Sequence, residues 1–260
     1  MAIALYGQNK DGGQIHEAAK NLSQVYRFGT PPVILDYEHA AAQLVDGTAG
    51  DQTIHSYADG LQITFFPITG QAIDKPAAAT TGMNYAYDQT ADDGWQWVMS
   101  DSVCKGREGI DRFTVGKQAF SAEIEFSTDD VSGSDDCAFG FAKVDVHRAA
   151  IDDCDEMAVL NVISGDIYIE TILNNGSTTS TDTTHNFADD EIHRLKVLVS
   201  KAGAVTYKID GAAPSTTATF SFDANEVVTP MMYYLQDSDL APNVVLRKLT
   251  VTSDKGSLEE

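Results

Sequence analysis

The sequence predicts an all-β fold: an antiparallel β-sandwich of the jelly-roll type, preceded by a short N-terminal extension that holds one helical pattern. Three observations predict it. Apolar residues alternate with polar ones in stretch after stretch between Gln62 and Val251, which is the period of a strand with one buried face. Clusters of Gly, Asn, Asp and Ser divide these stretches and are too short for the helical crossovers that parallel strands require. No repeat of fixed period supports a propeller or a solenoid.

The extension comes first. Ile15, Ala18, Ala19, Leu22, Val25 and Tyr26 fall at helical spacing, so residues 14–27 read as an amphipathic helix. Gly29-Thr30-Pro31-Pro32 ends it, because neither proline continues the turn. Val33-Ile34-Leu35 reads as a short strand, and Asp46 to Gly50 is a turn-prone stretch. Residues 1–50 have too few apolar side chains for a core of their own. Their apolar contacts, Ile15, Leu22, Tyr26 and Phe28, lie against a shell, a sister subunit or the chain's own sandwich. The division expected is an arm at 1–50, a sandwich at 51–254 and a tail at 255–260.

Gln62 to Phe66 and Trp95 to Met99 are the first strands of the sandwich, with Trp95 and Trp97 on one face and a loop from Gly70 to Thr81 between them. Phe120, Ala122, Ile124 and Phe126 alternate with Ser121, Glu123 and Glu125, whose side chains are expected in solvent. Cys137 to Ala142 follows. Met157 to Ile163, nearly all apolar, is a central strand, and Ser164-Gly165-Asp166 turns it into Ile167–Ile172. Leu195, Val197 and Val199 form another strand, and Val205, Tyr207 and Ile209 a further one ending at Asp210-Gly211. Phe220 and Phe222 alternate, Val227 to Leu235 is a longer run, and Val245, Arg247, Leu249 and Val251 close the domain. The reading gives roughly ten to twelve strands in two face-packed sheets.

Composition narrows the partners. Seventeen basic side chains against 39 acidic ones give a formal charge of −22, which disfavours nucleic acid and anionic membranes. Three cysteines, Cys104, Cys137 and Cys154, show no framework spacing, so buried thiols of a chain made in a reducing cytoplasm are expected. The opening residues turn polar too soon for a signal peptide, and no apolar run is long enough to span a bilayer.

Several stretches resemble the concanavalin A-like (laminin G-like) jelly rolls of tailed-phage virion proteins. They are Ala119–Phe126, Asp135–Phe141, Asp152–Asn161 with Gly165–Glu170, and His193–Val197 continuing to Val205–Gly211. A strand ending in Asp-Gly, then a Phe-containing strand and a Pro-containing one at Val228-Thr229-Pro230, completes the likeness over about residues 90–252. The resemblance implies an accessory structural protein, most simply a capsid decoration (cement) protein on the virion exterior. The arm would bind the major capsid protein, and the chain would form a homo-oligomer, with a trimer favoured. The alternative it implies is a carbohydrate-binding module on a tail or fibre.

No catalytic set, cofactor motif or metal set is found. The carboxylate signature of concanavalin A-like glucanases is absent, and Glu123 and Glu125 point to solvent. The run Asp152-Asp153-Cys154-Asp155-Glu156 lacks the spacing of a calcium loop and is expected to be an exposed acidic turn, like Asp189-Asp190-Glu191. The six histidines show no zinc spacing, and no serine stands in a Gly-x-Ser-x-Gly elbow. For glycan stacking the candidates are Trp95, Trp97 and Tyr168; packing in the core is the competing role for such aromatics.

Overall fold

The computed structural model describes residues 30–36, 46–56, 62–69, 76–79, 81–86, 93–99, 112–144, 147–236 and 243–254. The expected helix at 14–27, with Ile15, Leu22, Tyr26 and Phe28, lies outside them, as do Cys104 and the tail at 255–260. The described chain begins with β1 (Thr30–Asp36), β2 (Thr53–Ser56), β3 (Gln62–Ile68), β4 (Ala77–Ala79), β5 (Gly82–Ala86) and β6 (Gly94–Val98). It continues with β7 (Phe113–Thr114), β8 (Ala119–Thr128), β9 (Ser134–Lys143), β10 (Met157–Ile163) and β11 (Asp166–Ile172). Last come β12 (Thr179–Asn186), β13 (His193–Val199), β14 (Val205–Ile209), β15 (Val227–Gln236) and β16 (Asn243–Asp254).

They build two antiparallel sheets. The seven-stranded sheet runs β14-β13-β8-β16-β5-β4, with β1 also on β16; the nine-stranded sheet runs β12-β11-β10-β9-β15-β6-β3-β2, with β7 on β15. This is the jelly-roll sandwich the alternation predicts. In β8, Phe120, Ala122, Ile124 and Phe126 are buried while Glu123 and Glu125 are half-exposed on the other face. β10 pairs with β9 and β11, and its residues from Met157 to Val162 are all buried, as a central strand covered on both faces requires. Ser164 (φ 48°) and Gly165 (φ 91°) form the two-residue turn into β11; left-handed backbone at both positions matches the twist of a tight hairpin.

Three expectations need correction, and one strand, the polar Thr179–Asn186, has no counterpart in the sequence reading. Thr30–Asp36, counted with the arm for its prolines and sparse apolar content, pairs with β16 from Thr30↔Ser253 to Asp36↔Lys248, so the small sheet recruits a strand from before residue 50. The stretch read as a loop from Gly70 to Thr81 contains β4, paired with β5. Phe220–Phe222 is no strand but an isolated bridge, Ser221↔Ala204. Thr179–Asn186 is a strand despite its polar sequence, because it is the edge of the large sheet and buries little.

The core has two layers. The main one fills the space between the sheets and holds Phe65, Trp95, Trp97, Phe126, Phe139, Phe141, Leu160, Tyr207 and Tyr234, among others. Each such side chain contributes about 2–3 kcal/mol through burial. A smaller layer lies on the outer face of the nine-stranded sheet, where Met157, Val159, Met231 and Tyr233 pack beneath Ile151 and Cys154. The covering segment, residues 147–156, joins β9 to β10 and includes a single 3-10 turn at Ile151–Asp153.

Candidate functional site

The outer face of the nine-stranded sheet carries polar side chains where its apolar cover stops. Segment 147–156 spans the β15–β6–β3 part of the face. Tyr233 Oη donates to the Ala149 carbonyl at 2.7 Å, the Arg148 N–H donates to Gln96 Oε1 at 3.2 Å, and the His147 ring stacks on Phe66 with centroids 4.9 Å apart. Burial lowers the pKa of His147, so the stacked imidazole favours its neutral form. Toward β12 the cover ends at Asp152, whose Oδ1 accepts from the Thr178 hydroxyl at 2.6 Å.

Beyond that edge lies a three-residue network. Strand pairing sets Asn161 of β10 opposite Ala138 of β9 and Tyr168 of β11. Asp136 is two residues from Ala138 and Glu170 two residues from Tyr168, so all five side chains share one face. Asn161 is fully buried. Its Nδ2 donates to Asp136 Oδ1 at 2.5 Å and to Glu170 Oε2 at 2.8 Å, and its Oδ1 accepts from the Cys137 N–H at 2.9 Å. Both amide hydrogens and the carbonyl are therefore committed.

The electrostatics are unusual for a sheet surface. Burial pushes the Asp136 carboxyl up from 3.8 to about 6; the Asn161 hydrogen bond opposes this, and repulsion from Glu170, Asp135 and Asp152 adds to it. Glu170 is also raised, first by burial and then by Asp152 and Asp135, while Asn161 and Ser180 oppose the rise through hydrogen bonds. Two carboxyls that resist ionisation thus flank one amide, with the half-buried ring of Tyr168 beside them.

Of the stacking candidates, Tyr168 alone joins this site. Trp95 and Trp97 are fully buried in the main core: Trp95 packs between Phe65, Tyr85 and Tyr234, and Trp97 lies beside Phe139. Alternation places the two indoles on one face, and that face is the inner one, where no sugar reaches. The acidic run is corrected as well: Asp152 and Asp153 are exposed, but Cys154 and Glu156 are buried. Cys137 is a buried thiol, as expected, and Cys154 is buried as well.

The network itself escapes a motif search, because its three members come from three strands. One signal was present: Asn161 is the single polar side chain in the apolar run Met157–Ile163, and a buried amide needs partners on both neighbours. Among the described residues no three His, Cys, Asp or Glu side chains converge in a metal-binding arrangement. A separate cavity of about 410 Å³ on the seven-stranded sheet is lined by residues such as Ser121, Leu198, Ser200, Thr206 and Thr252, and no titratable group is among its described lining residues.

No family model matches the chain, and no curated protein does. Solved structures share the fold. A protein of unknown function from Shewanella oneidensis MR-1 superposes with a TM-score of 0.50 at 11% identity, covering 94% of this chain and 96% of that one. The carbohydrate recognition domain of Emp47p gives 0.49 at 11% identity over 80% and 95% of the two chains. An alginate lyase from Corynebacterium sp. gives 0.46 at 14% identity over 82% and 93%. These neighbours are concanavalin A-like jelly rolls, and the likeness is one of fold, which by itself does not choose between binding and catalysis.

Proposed function

We propose that this chain is a carbohydrate-binding β-sandwich whose site is the outer face of the nine-stranded sheet, centred on Asn161. The observation that carries this reading is the Asp136–Asn161–Glu170 network with Tyr168 opposite the amide. Placing two carboxyls against a buried amide on a sheet face costs stability that apolar side chains would not cost. What the arrangement supplies is the half-exposed Asp136 carboxyl beside the half-exposed Tyr168 ring, with the buried Asn161 and Glu170 fixing the carboxyl from beneath; a carboxyl next to an aromatic ring takes a hydroxyl and a ring face of a saccharide. The acidity of the face favours neutral sugars over uronates and other anionic glycans.

Calorimetric titration of the full chain with neutral oligosaccharides tests it. Binding in the wild type that falls at least tenfold in Tyr168→Ala, with the melting temperature kept, is expected; affinity unchanged by that substitution overturns the assignment of the site. Raised carboxyls beside one amide are also the pattern of an acid–base pair. Mass spectrometry of the same sugars after incubation separates binding from cleavage: intact oligosaccharides support a binding module.

A second reading is decoration of a phage head shell, as a homo-oligomer bound to the major capsid protein on the virion exterior. It draws on the sequence resemblance over residues 90–252 and on the −22 charge. Its test is position and copy number in a purified particle: hundreds of copies on the head support it, and absence from the head rejects it.

A further inference from the structure

One end of the sandwich closes over a single acid. Glu156, just before β10, is fully buried, and among the described residues neither of its carboxyl oxygens has a hydrogen-bond partner. Four charged groups face it: Glu226 and Asp223 from the turn into β15, Lys143 at the end of β9, and Asp155 on its own segment.

These neighbours are tied into a cap. Lys143 Nζ bridges Asp155 Oδ2 at 2.6 Å and Glu226 Oε2 at 3.4 Å. Asn174 Nδ2 donates to Asp223 Oδ2 at 3.0 Å, and the Asn175 N–H donates to the Asp155 carbonyl at 2.7 Å. The Lys143 N–H donates to the Glu156 carbonyl itself at 2.9 Å. Asn174, Asn175 and Asn225 all have left-handed backbone, with φ of 51°, 54° and 73°. The turns of the cap thus use asparagine, the side-chain-bearing residue that tolerates left-handed backbone best.

An ionised carboxylate without a donor is costly to bury, and three carboxylates against one ammonium do not offset that cost. The protonated acid avoids most of it. We propose that Glu156 is a proton-operated latch: protonated, it lies closed beneath the Lys143–Asp155–Glu226 cap, and ionised, it drives this end of the sandwich open.

The direction in pH follows from the shift. Burial, with Glu226 and Asp223 adding to it, raises the Glu156 carboxyl from 4.5 to about 7. The closed state therefore holds more protons than the open state between these values. Closure is strongest below 4.5 and weakens as pH rises toward about 7. A metal is not the partner this geometry supplies, because Asp155 and Glu226 are turned onto Lys143.

Native-state amide exchange on the full chain, read at Lys143 and Asn175 from pH 5 to 7 and corrected for intrinsic rates, tests the latch. The opening constant is expected to rise by roughly sixfold per pH unit across that range in the wild type and to lose that slope in Glu156→Gln, which keeps the shape and removes the charge. An equal slope in both proteins, or no slope in the wild type, overturns the proposal. So does a wild-type slope that millimolar Ca²⁺ abolishes and chelator restores, because the acid would then be a cation ligand. Should the variant not fold, carboxyl-region infrared titration of selectively labelled wild-type protein decides: a Glu midpoint near 7 supports the latch, and only ordinary midpoints near 4.5 overturn it.

Discussion

Asn161 shows how much one side chain settles in this molecule. It serves two carboxyls and a backbone N–H at once, so its removal takes a hydrogen bond from the half-exposed Asp136, from Glu170 and from the Cys137 N–H, and leaves a void where the amide was. Asn161→Ala is expected to cost about 3 kcal/mol in chemical denaturation. Asp136→Asn is a gentler probe, because the new amide oxygen still accepts from Asn161. The raised carboxyl of Asp136 means the folded state holds its proton more tightly than the unfolded state, so stability is lost as pH rises from 3.8 toward about 6. The variant's melting temperature relative to wild type should therefore climb over that range and level off above it. The tryptophans teach a complementary lesson. Period-two spacing puts Trp95 and Trp97 on one side of β6, but which side faces the core depends on the second sheet, and no local pattern reports that.

Among the elements, strands that bury a face were legible, even at a sheet edge as β14 is, and strands without such a pattern were not. β8, β10, β13 and β14 announce themselves by alternation or by continuous apolar character, because each buries a face. β12 buries little, and both it and β4 are placed by hydrogen bonds to their neighbours, which a polar or alanine-rich sequence does not encode. Close approach within the large sheet is testable at Gly140 of β9. A Cβ there would lie 2.2 Å from the Ala158 carbonyl oxygen of β10. The contact is with backbone, which cannot swing aside, so Gly140→Ala should cost about 3 kcal/mol in denaturant melts. At β1 the prediction is comparative. A chain lacking residues 1–29 keeps β1, whereas one lacking residues 1–48 exposes the β16 edge that β1 covers. Thermal melts should therefore show the longer deletion to be clearly the less stable.

At the scale of the whole molecule, two sheets of unequal width divide the work. The seven-stranded sheet closes the main core. The nine-stranded sheet closes it from the other side and carries a second apolar layer and a polar network on its outer face. The fold class could be read from the chain because it depends on patterning repeated over most of the sequence. The candidate site could not, because Asp136, Asn161 and Glu170 stand on separate strands and meet through register. Tyr168 was within reach as an aromatic on an alternating strand, yet nothing local ties it to Asn161. The central claim, that this face receives a saccharide, is tested most directly by mapping backbone amide chemical shifts during titration with a neutral oligosaccharide. The account predicts saturable shifts clustered at Asp136, Asn161, Tyr168 and Glu170; shifts confined to other surfaces, or none at any concentration, would contradict it.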